Sequence, residues 1–320
     1  MNLGIDTSCY TTSVAITSGG EVVWDGRVPL VVSDGALGLR QSDALFQHVR
    51  NLPALLEESF AVARARESDI RSVAASVSPR RAEGSYMPVF LASGGFGQSV
   101  AAALGKPLHR ISHQEAHIAA GAWSSGMPRT GRFLALHLSG GTTELLDVHW
   151  PGEGGPFDVR IIGGTDDLNA GQFIDRVGVA MGLPFPAGPE LERLARAGES
   201  GTVRIPVSVR GTSVSFSGPC SSALRALELG ARREDVASAV LSSVAEAVAR
   251  MCAAGLSSTE VPALLVSGGV ASNAVVRRTV TAALSEDRPS VRVYFAKPEY
   301  ARDNAVGAAL LAGPMWGWDD

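Results

Sequence analysis

Two histidines stand four residues apart in the segment Ser112-His113-Gln114-Glu115-Ala116-His117. The surrounding residues are good helix formers, and on a helix both imidazoles share one face with Cβ atoms about 5–6 Å apart. That spacing suits two ligands of a single transition metal. The alternative is a pair of ordinary surface or half-buried histidines among the six in the chain. A zincin-type HExxH protease needs its glutamate next to the first histidine, where it activates a metal-bound water. Here Gln114 holds that place, and Glu115 is turned roughly 200° around the helix from His113. Peptidase chemistry of that kind is therefore disfavoured.

Glycine turns are the second signal. Ser-Gly-Gly occurs at 139–141 and again at 267–269, each time directly after an apolar run. A Gly-Gly turn at a strand end lets backbone amides approach a phosphate, and the hydroxyls of Thr142 and Thr143 add donors. One such turn is better explained as a tight turn that needs a positive φ. Two of them, with the small polar run Thr7–Ser13, shift the balance towards phosphate. No GxxxxGK[ST] is present, so a P-loop is excluded. Asp303 opens a helix-like run and reads first as an N-cap. Asp166, Asp167 and Asp175 either contact ribose or metal, or solvate a helix face. No residue stands out as a catalytic acid, base or nucleophile.

The elements that must carry these residues alternate between strand and helix. NLGID, the run to Ser13, VAIT, a Ser18-Gly19-Gly20 turn and EVVW read as strands joined by turns. About 130 residues later the same grammar returns as RFLALHL, Ser139–Thr143 and ELLDVHW, a long-period repeat that suggests a duplicated domain. Leu45, Val49, Leu52, Leu56 and Phe60 predict a helix after Ser42/Asp43, kinked at Pro53. Asp235 opens a second helix with the face Val236, Val240, Val244, Val248 and Met251, ending near Gly255. A short helix runs from Pro189 to Gly198. ALLVS (263–267) and VRVYFA (291–296) read as strands, and 303–313 as a closing helix. The class is α/β.

At 320 residues, two lobes or one large α/β domain are expected. An apolar fraction of 45% indicates a packed protein rather than a disordered one. Net charge is −4, the only lysines are Lys106 and Lys297, and no long basic run occurs. Strong independent nucleic-acid binding is disfavoured, so an RNA partner calls for another subunit. No secretory signal is expected from the residues after Met1, and no apolar stretch is expected to span a bilayer. Cys9, Cys220 and Cys252 form neither a disulfide framework nor a CxxC site; reduced thiols in a cytoplasmic protein are expected.

Seven motifs follow one another in a familiar order: LGIDTSC, HxxxH at 113–117, LSGGTTEL at 138–145, the run 170–195, SFSG at 215–218, SGGVASN at 267–273 and RDNAVGAA at 302–309. Together they resemble the TsaD family, tRNA N6-adenosine threonylcarbamoyltransferases formerly described as O-sialoglycoprotein endopeptidases (peptidase M22). The resemblance implies a duplicated two-lobe actin–hexokinase-type (ASKHA) fold with a nucleotide cleft between lobes. Lobe I is expected over 1–130, completed by the C-terminal helix, and lobe II over 131–320, with a helical insertion around 165–230. It implies that Asp303 joins His113 and His117 around one divalent metal, Fe(II) or Zn(II). It places contacts to ATP or threonylcarbamoyl-AMP on Ser139, Gly140, Gly141, Thr142, Asp167, Gly171, Asp175, Gly188, Gly268, Gly269 and Asn273. The implied reaction moves threonylcarbamoyl to N6 of adenosine in tRNA, in a complex with TsaB-like and TsaE-like proteins and with a dimer as an option.

The sequence departs from the family pattern at three places. TSCDET is replaced by Thr7-Ser8-Cys9-Tyr10-Thr11-Thr12, SGGHT by SGGTT, and a Gly-Pro-Gly turn by the segment 76–90 with Arg80, Arg81, Glu83 and Tyr86. These changes motivate two alternatives. One is a non-catalytic or regulatory paralogue that binds nucleotide and metal. The other is a transferase with a different substrate, in which Arg80 and Arg81 clamp a carboxylate or phosphate.

Overall fold

The computed structural model describes residues 1–8, 10–32, 39–66, 69–128, 131–150, 157–165 and 167–313. Cys9 and Asp166 lie outside the described residues. The chain divides into two compact units. One comprises Met1–Ser124, Pro151–Phe157 and Arg302–Asp320; the other comprises Ser125–Trp150 and Asp158–Ala301.

The first unit is built on strands β1 (Asn2–Asp6), β2 (Thr11–Ser18), β3 (Glu21–Pro29), β4 (Ser72–Ser78) and β5 (Leu108–Ser112). They lie in the order β3-β2-β1-β4-β5. The β1–β2 and β2–β3 pairs are antiparallel, whereas β1–β4 and β4–β5 are parallel. Helices α1 (Gln41–Ala65) and α2 (Phe90–Leu104) are the crossovers into β4 and β5 that parallel pairing requires. Leu52 and Leu56 of α1 pack with Leu3, Ile5, Val14 and Ile16 of the sheet. Pro53 lies inside α1, which continues past it to Ala65. Val49, expected on the apolar face, is 43% exposed.

Two further helices in this unit carry the histidine pair and the segment after Asp303. Helix α3 (His113–Ser124) starts directly at the end of β5. Ser112 and Glu115 form a reciprocal cap: Ser112 Oγ accepts from Glu115 N (3.2 Å), and Glu115 Oε2 accepts from Ser112 N (2.7 Å). This S-x-x-E box satisfies two otherwise orphaned donors and starts the helix at His113. The closing helix is α9 (Val306–Leu311), shorter than the expected 303–313. Asn304, not Asp303, serves its start, since Asn304 Oδ1 accepts from Val306 N (3.0 Å). The N-cap reading of Asp303 is thereby corrected, and its carboxylate is left for other work.

The second unit repeats the first. Its strands β6 (Arg132–Leu138), β7 (Thr143–His149), β8 (Asp158–Thr165), β11 (Ala263–Ser267) and β12 (Arg292–Phe295) run in the order β8-β7-β6-β11-β12. Strand directions match one for one, with antiparallel β6–β7 and β7–β8 and parallel β6–β11 and β11–β12. Two short strands, β9 (Ser208–Arg210) and β10 (Ser213–Ser215), extend the sheet beyond β8. Helices α4 (Ala170–Ala180), α5 (Gly188–Ala195), α6 (Ser217–Glu228) and α7 (Arg233–Thr259) fill the long β8–β11 connection, and α8 (Ala274–Asp287) joins β11 to β12.

Two expectations fail at α7. It runs through Gly255 to Thr259 rather than ending there. A Cβ at Gly255 would lie 2.5 Å from Leu145 Cδ2, so this glycine serves close packing rather than termination. The helix also has the length and apolarity to cross a bilayer, contrary to the sequence reading. Its apolar residues, among them Val236, Val240, Val244, Val248 and Met251, are buried in the core of this unit. Cys220 and Cys252 are free and buried, and burial pushes the Cys252 thiol up to about 12.

Helix α9 meets α3 at Gly307, where a Cβ would fall 1.8 Å from the carbonyl oxygen of Ala116. That contact leaves no room for a methyl group. Gly307→Ala is expected to cost about 1–3 kcal/mol through overpacking, read as a lowered denaturant midpoint at unchanged m-value.

Candidate metal and phosphate sites

The first unit gathers four ionisable side chains. His113 and His117, one turn apart on α3, have ring centroids 4.3 Å apart at 78°. Asp303 Oδ1 lies 3.3 Å from His117 Nε2 and 3.5 Å from His113 Nε2. The three donor atoms all fall within 4.8 Å of one another. On the other side of the His113 ring, Nδ1 is 2.9 Å from Asp6 Oδ2, and Asp6 is fully buried at the end of β1. Asp6 Oδ1 in turn accepts from Ser8 N (2.9 Å).

This is a fitting cradle for a divalent transition metal. Two imidazole nitrogens and one carboxylate face a common point, and a buried carboxylate on the far nitrogen of His113 fixes the ring and the tautomer. The donor chemistry suits Fe(II) or Zn(II) with positions left for exogenous ligands. Sequence reading missed Asp6 as an orienting residue. The one available signal was its place in the LGID motif, because the pairing spans 107 residues.

Electrostatics follow from the geometry. Burial alone would lower the His113 pKa, but Asp6 and Asp303 more than offset it and raise it to about 10. Burial would raise Asp303, yet the two imidazoles hold its carboxyl well below the usual carboxylate range. Asp6 is lowered in the same way, burial opposing and His113 prevailing.

Glu115 is committed elsewhere. Besides capping α3, its Oε1 accepts from Arg81 Nε (3.1 Å). Arg81 Nη2 also donates to the Arg110 carbonyl (3.2 Å). Arg81 thus ties the 79–89 segment to the base of α3 and is not a free anion clamp. Of the altered TSCYTT residues, Tyr10 is 48% exposed, while Thr12 Oγ1 lies 2.9 Å from His48 Nδ1 in the interior. Burial pushes that histidine down to about 4.

The residues expected to contact nucleotide all belong to the second unit and trace one connected path. The Ser139–Thr142 turn follows β6 and is closed by Ser139 N donating to the Thr142 carbonyl (2.9 Å). Gly140 and Gly141 are exposed, with open space where a Cβ would stand. Thr143 Oγ1 accepts from Ala170 N (2.9 Å), bringing the N-terminus of α4 onto the turn. A Cβ at Gly171 would sit 2.4 Å from Gly140 Cα. Gly268 and Gly269 follow β11, the parallel neighbour of β6. Gly268 has φ +106° and lies against the Leu138 carbonyl, so no other residue suits it. Two glycine turns thus stand at the carboxyl ends of adjacent parallel strands with a helix N-terminus beside them, an arrangement able to receive a phosphate.

The path continues along the helices. Asp175, one turn after Gly171 on α4, accepts from Ala187 N (2.7 Å) just before Gly188; burial raises its pKa, partly offset by that N–H. One turn after Gly188, Glu192 Oε2 accepts from Asn273 Nδ2 (2.9 Å). Asn273 Oδ1 caps α8 by accepting from Val275 N and Val276 N. Asp167 accepts from Thr165 Oγ1, Leu168 N, Ser215 Oγ, Phe216 N and the N and Oγ of Ser217. Despite burial, those donors hold it well below the usual carboxylate range. Asp167 thus anchors the start of α6, and Glu192 is a link that sequence reading did not single out.

In fold, the chain is similar to component A of (R)-2-hydroxyglutaryl-CoA dehydratase from Acidaminococcus fermentans. That match has a TM-score of 0.55 at 18% identity, covering 97% of this chain and 96% of that one. A ROK-family glucokinase from Streptomyces griseus, in complex with glucose and AMPPNP, gives 0.54 at 16% identity, covering 97% and 98%. HypF of T. kodakarensis gives 0.65 at 15% identity, covering 96% of this chain and 46% of that one. These likenesses define the class as a duplicated actin–hexokinase-type α/β fold.

Residues 38–310 match the family model TsaD, tRNA N6-adenosine threonylcarbamoyltransferase. A protein of that name from Thermus thermophilus is 35% identical over 318 residues, covering 97% of this chain and 91% of its own. The Moorella thermoacetica protein of the same name is 32% identical over 321 residues, covering 95% and 88%. That of Methanopyrus kandleri is 31% identical over 310 residues, covering 95% and 84%. The chain belongs to the TsaD family.

Purified protein is expected to carry about one equivalent of divalent metal, lost in a His113→Ala/His117→Ala variant by elemental analysis. Asp6→Asn should retain the stoichiometry while weakening metal affinity roughly 10–100-fold, since it removes only the orienting carboxylate. Because a metal at His113 Nε2 must displace the proton held there, affinity is expected to rise with pH through the neutral range. Calorimetry in buffers of different ionisation enthalpy would register the released proton.

Proposed function

We propose that this chain is a metal-dependent transferase that moves threonylcarbamoyl from threonylcarbamoyl-AMP to N6 of adenosine in tRNA. The observation that carries the reading is that one chain of the TsaD family holds both parts the chemistry needs. It has a His113–His117–Asp303 donor set in its first unit and, in its second, two glycine turns after adjacent parallel strands that support phosphate binding.

In this reaction the N6 amine attacks the carbamoyl carbon, the bond from that carbon to the phosphate oxygen breaks, AMP departs with the electron pair, and the N6 nitrogen gives up one proton to solvent or to the departing phosphate. The exposed amides at Gly140 and Gly141, with the start of α4, bind and orient the phosphate of the donor. Gly268 and Gly269 line the same phosphate site, and Asp175, Gly188 and Asn273 mark the path towards ribose and base. Asp6 holds His113 so that its Nε2 faces Asp303. His113, His117 and Asp303 would hold a divalent ion, Fe(II) or Zn(II), which would supply Lewis-acid polarisation of a carbonyl or phosphate oxygen. ATP is a second nucleotide ligand of the same glycine turns. Assembly with TsaB-like and TsaE-like proteins, a homodimer and a cytoplasmic setting belong to the same reading, since a net charge of −4 leaves tRNA docking in need of help.

A second reading has its own support. Tyr10, Thr11 and Thr142 replace polar or ionisable residues of the family pattern, which is what a nucleotide- and metal-binding regulatory paralogue, or one with an altered substrate, would carry.

The test is transfer from synthetic threonylcarbamoyl-AMP to unmodified tRNA, with nucleosides read by mass spectrometry. An active family member and the partner proteins serve as controls. Product is expected from the wild type and should fall at least 100-fold in Asp303→Ala, in the range for loss of an electrostatic stabiliser (about 10²–10³). Absence of product beside an active control would turn the assignment to the paralogue.

A further inference from the structure

The second unit carries an open depression of about 460 Å³ that none of the residues discussed above lines. One side is formed by Thr202 and Arg204 in the segment before β9. The other is a single face of α6, with Ser222, Arg225, Ala226 and Leu229 at i, i+3, i+4 and i+7. No carboxylate lines it. Among the described residues, the guanidinium groups of Arg204 and Arg225 have neither ion pair nor hydrogen bond. Four other arginines of this unit are matched, Arg132 and Arg160 on Asp147, Arg193 on Glu190 and Arg250 on Glu246; what sets Arg204 and Arg225 apart is that both line one depression free of carboxylates. Leu229 is 78% exposed beside them.

Two unneutralised, exposed guanidiniums, two hydroxyl donors and an uncovered aliphatic surface suit a ligand with repeated phosphates and flat apolar sugar or base faces. A chain of net charge −4 without a basic run must take its RNA contacts from isolated arginines of this kind. Location supports the same ligand. The N-terminus of α6 is held by Asp167, and at 1.5 Å per residue Arg225 lies roughly 12 Å along the helix from Ser217. That is about two nucleotides of extended backbone.

We propose that the Arg204–Arg225 depression binds the ribose-phosphate backbone of the tRNA substrate. The inference rests on the transferase reading for the identity of the RNA and is tested separately from it. Binding of a fluorescent unmodified tRNA transcript by the full chain would be followed from 50 to 200 mM salt. Wild type would be compared with Arg204→Ala/Arg225→Ala and with a charge-matched control, Arg64→Ala/Arg71→Ala, in the first unit. Loss of two phosphate contacts should weaken binding about tenfold and flatten the slope of log K against log salt by roughly 1.5. ATP affinity and the melting temperature should stay unchanged, and the control should behave as wild type.

An unchanged slope, or an equal effect in the control, would overturn the proposal. So would inorganic phosphate, at matched ionic strength, erasing the difference between wild type and variant, because the arginines would then serve free phosphate. An acidic peptide that binds wild type but not the variant, with tRNA affinity unaltered, would reassign the depression to a protein partner. Threonylcarbamoyl transfer separates the two claims. A product-forming wild type whose KM for tRNA is unmoved by the double variant defeats this inference alone. A wild type that forms no product while the active control does defeats the transferase reading, and the salt-slope comparison still decides the binding site.

Discussion

The metal cradle depends on one local constraint, the reciprocal cap between Ser112 and Glu115. A parallel strand ends and a helix begins with no intervening loop, which is possible only because the two residues satisfy each other's donors at the junction. That junction puts His113 in the first helical position and His117 one turn on. Had the helix started a residue later, the same HxxxH spacing would face another direction. Glu115 is further fixed by Arg81, so the 79–89 segment bears on the junction as well. The acid beside the histidines is therefore an architectural residue, consistent with the geometric argument against a peptidase.

The two units illustrate how a duplicated sheet is put to separate uses. Thr7 and Ser8 follow the first strand in one copy, where the Ser139–Thr142 turn follows it in the other. In the first copy that strand ends in Asp6, a buried carboxylate hydrogen-bonded to the His113 ring. In the second the turn itself is open glycine backbone next to a helix N-terminus. The position after the fourth strand of the sheet likewise differs. Arg81 occupies that stretch in the first unit, and Gly268 with its positive φ in the second. Loop chemistry, not sheet topology, distinguishes the two units.

Much of the architecture was legible in the residues alone. Alternating strand and helix patterns, the repeat of the strand-turn-strand unit and the helical spacing of His113 and His117 are local properties, set by side-chain period and backbone preference. The glycine turns were legible for the same reason, since glycine pairs after apolar strands are needed only where backbone is tightly turned or closely approached. What local pattern could not decide was competition between equally plausible local roles. Asp303 and Asn304 stand side by side and either can cap a helix; in the fold Asn304 Oδ1 accepts from Val306 N just ahead of α9 while Asp303 faces the two histidines. Gly255 reads as a stop signal, but the sheet beneath it uses the missing side chain for contact with Leu145.

Residue types and spacing by themselves determined the α/β class, the two imidazoles on one helical face and the two glycine turns. These depend on interactions within a few residues, whose geometry hardly varies between proteins. Only the tertiary structure decided that Asp6 lies against His113 and that Asp167 and Glu192 are spent on holding α6 and Asn273, while Asp303 beside the two histidines followed from the family resemblance and from no local period. Those pairings join residues tens to hundreds of positions apart. Their partners are chosen by how strands order in a sheet and how helices pack upon it, and no local period records that choice.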